Sequence, residues 1–232
     1  MGDLTKFTDK SKVLSINQAI GGDAMTKAHN KLRGSWRNIV NLPISTANIQ
    51  AGQVWYVDAN KIARTVGRLA GFIDTKATSV GAGVISALSP RREWDLNISQ
   101  AILLVAEGTK KHFTVQHDKA VAILHGKDPV IALGVDARKT QAFYQAIVYP
   151  NNEWSMPVID RHAVAVYMGR SVSEKELKLL ESPRVYNRIQ NAYIKASNHV
   201  GMNRHILQAM TWTQWREDKG ITQPTSRQVA EV

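Results

Sequence analysis

The 232-residue chain contains no cysteine. That excludes disulfides, cysteine-ligated zinc and cysteine-held iron–sulfur clusters, and a reducing, cytoplasmic setting is the expectation. Long apolar runs are missing too. None approaches the ~20 residues of a membrane span, and the opening MGDLTKFTDKSK has no apolar core like that of a signal peptide. No membrane partner, metal or other cofactor is therefore expected. Acidic residues are the third shortage: 19 Asp and Glu stand against 30 Lys and Arg, a formal net charge of +11. Such a balance favours a polyanion partner, most simply nucleic acid. The excess is spread at roughly +4 over residues 1–40, +4 over 41–170 and +3 over 171–232. No basic tail carries it, so a binding face has to be assembled by folding.

What the chain does have is helix punctuation. Asp58 can cap ANKIARTVGRLAG, with Ile62, Val66 and Leu69 on one face and Gly71 as the stop. Ser79 can cap VGAGVISALS, and Pro90 bars its continuation. Trp94, Ile98, Ala101, Ile102 and Val105 repeat at helical spacing, which favours the core for Trp94 over the alternative of stacking on a base beside Arg91 and Arg92. Asp118 can cap KAVAILHG and Asp136 can cap ARKTQAFYQAIV. In DPVIALG, Asp128 is a natural N-cap with Pro129 at the first helical position. Ser173 and Glu176 make a capping box. Ser182 and Pro183 open a helix ending near Gly201, and Asn203 opens the last. Alternating patterns are scarce, and QVWYVD is the only fair strand candidate. The predicted class is all-α, with about eight to ten short helices. The expected divisions are a partly helical extension over 1–50, a helical domain over 51–216 and a polar tail over 217–232. IGGD reads as a turn, and Lys110, Lys111 and His112 as a solvated loop.

One stretch combines chemistry with a helix start. In PVIDRHAV an apolar pair, Val158 and Ile159, stops at Asp160, and Arg161 and His162 follow before the pattern turns apolar again. Taken alone, Asp160 is equally well explained as a plain N-cap, and His162 as a hydrogen-bonded core histidine. Upstream, LGVDARKTQAFYQAI reads as helix, tight turn, helix, with Lys139 in the first turn of the second helix. Lys139 and Asp160 are 21 residues apart. A helix of about ten residues and a return loop could bring them together. A lysine amine beside a carboxylate suits work on a glycosidic carbon. The carboxylate stabilises an oxocarbenium-like centre or activates a nucleophile, and the amine can itself attack. Arg91 and Arg92, after the Pro90 stop, could clamp phosphates.

In order and spacing these segments resemble the helix-hairpin-helix DNA glycosylase superfamily, the endonuclease III-like enzymes. There a glycine-rich turn and lysine, as in G-V-G-R-K-T, precede V-D-T-H by about twenty residues; this chain reads DARKT and then VIDRH. Gly83 to Ile102, GVISALSPRREWDLNISQAI, resembles the family helix that ends in L-L-S-x-Q-T and presents residues to the target base. The similarity covers about residues 55–216 and is nearest to uncharacterised glycosylase-like proteins of tailed phages. Those share ALSP…W…N, K…FY…I, IDRHA and a late TW…WR, here Thr211, Trp212, Trp215 and Arg216. The chain departs from the pattern at Asp136 and Ala137, where glycines are expected, and at Pro90, Arg91 and Arg92, which replace the glutamine-threonine of the base-binding helix.

The resemblance implies a two-lobed helical bundle with a helix-hairpin-helix element and a cleft between the lobes. It implies catalytic roles for Asp160 and Lys139, DNA contacts from Arg91, Arg92, Arg138, Arg161 and His162, and a place in the bacterial host cytoplasm if the chain is phage-encoded. Arg161 is expected to face substrate or phosphate, and His162 the helix bundle. The implied reaction is on a flipped DNA base, either base excision or phage base hypermodification. The alternatives are a DNA-binding protein without chemistry and a phage inhibitor of a host protein that keeps the fold.

Overall fold

The computed structural model of the chain describes residues 32–108 and 115–221. IGGD, Lys110–His112 and most of the polar tail lie outside them. The described residues are all-α: eleven α-helices, a single 3-10 turn and no strand. In order the helices are α1 Trp36–Val40, α2 Thr46–Leu69, α3 Asp74–Leu88, α4 Trp94–Glu107, α5 Val115–Leu124 and α6 Pro129–Leu133. They continue with α7 Arg138–Val148, α8 Arg161–Met168, α9 Glu174–Leu177, α10 Pro183–Val200 and α11 Arg204–Asp218, the 3-10 turn Lys178–Glu181 falling between α9 and α10. No described helix is long and apolar enough to cross a membrane.

QVWYVD, the one fair strand candidate, is helical and lies within the 24-residue α2. Gly52, Tyr56, Ala59, Ile62, Ala63 and Val66 are all buried, a 3.6-residue period that outweighs the local β-preference of valine and aromatics. The cap moves accordingly. Ser45, not Asp58, accepts from the Asn48 amide, at 3.2 Å, and Asp58 pairs with Lys61 in mid-helix. α3 likewise starts before Ser79, whose hydroxyl shares a 2.8 Å hydrogen bond with Tyr144. Asp118 lies in the first turn of α5 rather than at its cap. Asp136 sits one residue before Ala137, the N-cap position of α7, which has no side-chain cap bond. The caps at Asp128 and the Ser173–Glu176 box form as the sequence suggests. α10 ends at left-handed Gly201.

Two hydrophobic cores organise these helices. The first gathers α2 to α7 around α3, which is buried almost all round from Ala77 to Leu88. The second joins α1, α8 and α10 through Ile39, Val164, Val185, Ile189 and Tyr193. Two segments belong to both. Val158 packs in the first core and its neighbour Ile159 in the second; on α11, Ala209 packs in the first and Leu207 in the second. The expected division at residue 50 falls inside α2, and Leu32 and Ile39, at 0% and 1% exposure, belong to the second core. The division at residue 217 falls inside the last turn of α11.

α2 and α3 touch through glycine. A Cβ on Gly81 would lie 1.8 Å from the Ala63 carbonyl oxygen, and one on Gly67 1.9 Å from that of Ala77. Helix propensity alone would favour alanine by about 1 kcal/mol, but no backbone carbonyl can yield at such distances without separating the helices. Gly81→Ala is therefore expected to lower unfolding stability by at least about 2 kcal/mol, read by urea denaturation followed by circular dichroism. A stabilised variant would show that the helices can slide apart freely.

Candidate functional site

A cavity of about 200 Å³ opens between residues of the first core, such as Tyr56 and Val158, and the start of α8. Its chemistry starts at Asp160, the N-cap of α8, in extended backbone conformation. One carboxylate oxygen accepts from the Ala163 amide at 2.8 Å, and the other accepts from the indole Nε1 of Trp212, on α11, at 2.9 Å. The plain-cap alternative accounts for the first bond only. The second ties the carboxylate to another helix and fixes its plane at the cavity wall.

Lys139 reaches the same cavity from the first turn of α7. α6 and α7 are joined by a four-residue turn, Gly134 to Ala137, opened by Gly134 at φ 98°. Gln141 Nε2 donates to the carbonyls of Val130 and Gly134, at 2.7 and 2.9 Å, and Lys119 Nζ to that of Leu133 at 2.7 Å. These bonds satisfy carbonyls left open at the end of α6 and set the direction in which α7 starts. Arg138, beside Lys139, is half-buried and does not line the cavity.

Arg91 and Arg92 stand exposed at the rim, on the turn between α3 and α4. Arg91 has φ 62°, a left-handed conformation costing a non-glycine residue about 1 kcal/mol. The Arg92 amide closes the turn on the Ser89 carbonyl at 3.2 Å. Arg161 lines the cavity and pairs with Glu174 at 3.0 Å, both largely exposed. His162, expected to turn into the bundle, instead lines the cavity, edge-on to Trp212 with ring centroids 6.2 Å apart. Burial lowers its pKa below the usual 6.5, with nearby Arg216 and Arg161 acting the same way and Asp160 opposing.

The sequence reading missed most of the wall. Trp55, Tyr56, Trp94, Phe143 and Trp212 line the cavity as one aromatic group, with Trp55 at its centre, 5.0 Å from Trp94, 5.8 Å from Trp212 and 6.0 Å from Phe143. Trp94 is in the core, as its register implies, at 8% exposure. Tyr56 donates to Gln208 Oε1 at 3.0 Å. Burial first, and the Asp160 charge second, hold its phenol pKa well above the usual value. Arg216, recognised in the sequence only as part of TW…WR, has its guanidinium over the Trp212 ring at 4.7 Å and 3.4 Å from Glu93. Trp212 and Arg216 are four apart on one helix, a spacing that puts both on one face.

The lining thus holds five cations (Arg91, Arg92, Lys139, Arg161, Arg216) against two carboxylates, Asp160 and Glu93. The arrangement suits a flat ring stacked on aromatics, with anionic groups at the rim and one oriented carboxylate inside. A wider groove of about 760 Å³ shares Arg91 and Arg92 and is otherwise walled by leucines such as Leu96 and Leu103 and by polar residues that include Glu107 and His117. Among the described residues no cluster of three or more His, Asp or Glu could hold a metal ion.

Fold and site together define an all-α protein with an aromatic-walled, cation-rich cavity between its first hydrophobic core and the start of α8. The chain belongs to a family of unknown function, DUF7178, which it matches over residues 21–219. No curated protein and no solved structure matches it.

A second histidine gives the seam a pH dependence. His205 on α11 is fully buried, and its Nε2 meets the Pro150 carbonyl oxygen at 2.8 Å. Burial lowers its pKa, as it does that of His162. Both rings resist protonation in the folded state, so the unfolded chain binds more protons in acid. The stability they contribute is fully present above about pH 6.5 and is lost as pH falls through their lowered folded values. Thermal melts from pH 7.5 to 5 should show falling midpoints, and His205→Gln, which cannot titrate, should flatten that fall. An equally steep fall in the variant would clear His205.

Proposed function

We propose that the chain binds DNA and acts on a base turned out of the stack into the cavity, in the manner of the helix-hairpin-helix glycosylases its motifs resemble. The observation that carries this reading is the convergence on one aromatic-walled cavity of Asp160, locked by two hydrogen bonds, and Lys139, delivered by the α6–α7 turn. Aromatic faces hold an unstacked base. The carboxylate stabilises positive charge developing at the sugar C1′, and Lys139 is the amine placed to attack that carbon. The α6–α7 turn serves as the hairpin, with Arg138 on its phosphate side, and Arg91, Arg92 and Arg161 hold the backbone.

A second reaction uses the same residues: an amine displaces an activated group on a modified pyrimidine, as in phage base hypermodification. The excess of cations over carboxylates in the lining suits either reaction, because an activated leaving group and an excised base both depart with negative charge.

Binding driven by phosphates falls steeply with salt, with a log–log slope of about −0.9 per phosphate neutralised on duplex DNA. Replacing Arg91 and Arg92 together by Ala is expected to flatten that slope by about one to two units. An unchanged slope would take these arginines out of the interface.

Asp160→Asn keeps an oxygen for the Ala163 amide and so preserves the cap, but its NH2 cannot accept from the Trp212 N–H, and a neutral amide stabilises a developing cation poorly. The expected result is a folded protein with activity reduced at least about a hundredfold, scored by mass spectrometry of nucleosides from treated DNA. Full activity in this variant would overturn the catalytic assignment and leave a DNA-binding protein without chemistry.

A further inference from the structure

Arg216 has no part in the chemistry just described, yet it carries the most costly charge in the cavity. It is 5% exposed, and burying a guanidinium is costly unless its surroundings compensate. Glu93, one of its partners, is 73% exposed and 3.4 Å away, so solvent screens that pair. Its contact with the neighbouring indole is more telling. Helical side chains lean toward the N-terminus, so residue 216 covers the turn that holds residue 212. The guanidinium accordingly lies over the Trp212 ring at 4.7 Å, while His162 and Trp55 meet that ring edge-on, at 82° and 68°. Boxed in this way, the indole has one orientation, the one that points Nε1 at Asp160 Oδ2 at 2.9 Å.

We infer that Arg216 is a positioning residue. By stacking on Trp212, and anchored from the arginine-bearing turn by Glu93, it holds the indole N–H on Asp160 and so sets the plane of that carboxylate. The role rests on the reading of Asp160 as the reacting group, but the geometry it describes exists without any ligand. A planar guanidinium can stack and bridge at once; an ammonium on a lysine stem supplies charge without the flat face. Glu93 sits on the turn that carries Arg91 and Arg92, so the chain Glu93–Arg216–Trp212–Asp160 runs from the rim to the floor of the cavity.

The test reads the Trp212 indole N–H in ligand-free protein, by hydrogen exchange in ¹H–¹⁵N spectra, its resonance assigned by loss in Trp212→Phe. Opening of a hydrogen bond limits such exchange, and loss of a desolvated cation–π contact should speed it about tenfold. Arg216→Met and Arg216→Lys are both expected to show that increase, and Glu93→Gln a smaller one of about threefold. Should Arg216→Met not fold, Arg216→Lys and Glu93→Gln decide, since Glu93 is exposed and its amide disturbs no packing. Exchange within twofold of the unmodified protein in the folded variants would overturn the inference, as would full retention of slow exchange by Arg216→Lys, which would make charge alone sufficient. With a base substrate, the positioning role also requires kcat to fall more than KM rises in Arg216→Lys; the reverse would make Arg216 a binding contact and overturn it. Full activity in Asp160→Asn would remove the functional reading while leaving the exchange result standing, so the two fail separately.

Discussion

The Asp160 carboxylate is where the two cores are tied together. Its neighbours Val158 and Ile159 point into different cores, so the chain passes through the seam at this point, and the residue that follows must be polar. Asp160 answers three demands there. It supplies the acceptor that the first turn of α8 needs, it holds α11 through Trp212, and it puts a charge at the cavity floor. Were the residue apolar, α8 would lose its cap and the Trp212 N–H its acceptor. The same two hydrogen bonds that tie α8 to α11 also fix the carboxylate's orientation.

The remainder of the cavity follows from which helices can approach which. Glycine contacts bring α2 and α3 to backbone distance, and that closeness places Trp55 and Tyr56 opposite the end of α3 and the turn carrying Arg91. α11 lies along α2 and α8, bringing Gln208, Trp212 and Arg216 one turn apart along the wall. Buried polar groups at the seam are mostly paired across elements: Tyr56 to Gln208, Tyr193 to the Ala163 carbonyl, His205 to the Pro150 carbonyl. Unpaired groups of this kind would cost about 1–3 kcal/mol each. These pairs give the seam one arrangement rather than several.

Electrostatically the site is uneven by design of its helices. Positive charge comes from turns and helix starts, Arg91, Arg92, Lys139 and Arg161, which stay near water. Arg216 alone is buried, under cover of an aromatic face. The exposed cations stand at the rim, while the interior offers aromatic surface and an oriented carboxylate.

Composition and punctuation by themselves determined the all-α class, the helix starts at Asp128, Ser173 and Pro183, the stop at Gly201, and the candidate pair Lys139 and Asp160 with its helix-start setting. Those are local properties: caps, turns and periodicity act within a few residues, so they are written where they act. Only the tertiary structure decided that QVWYVD is helical, because the burial of Tyr56 and Ala59 against α3 and α11 outweighs a weak strand preference. It also decided that Leu32 and Ile39 belong to the second core, that His162 faces the cavity, and that Trp55, Glu93, Phe143, Trp212 and Arg216 share one wall with Asp160. Trp212 lies 52 residues from Asp160, and Arg216 lies 123 from Glu93. Contacts at such separations depend on how helices pack, and no spacing along the chain encodes them.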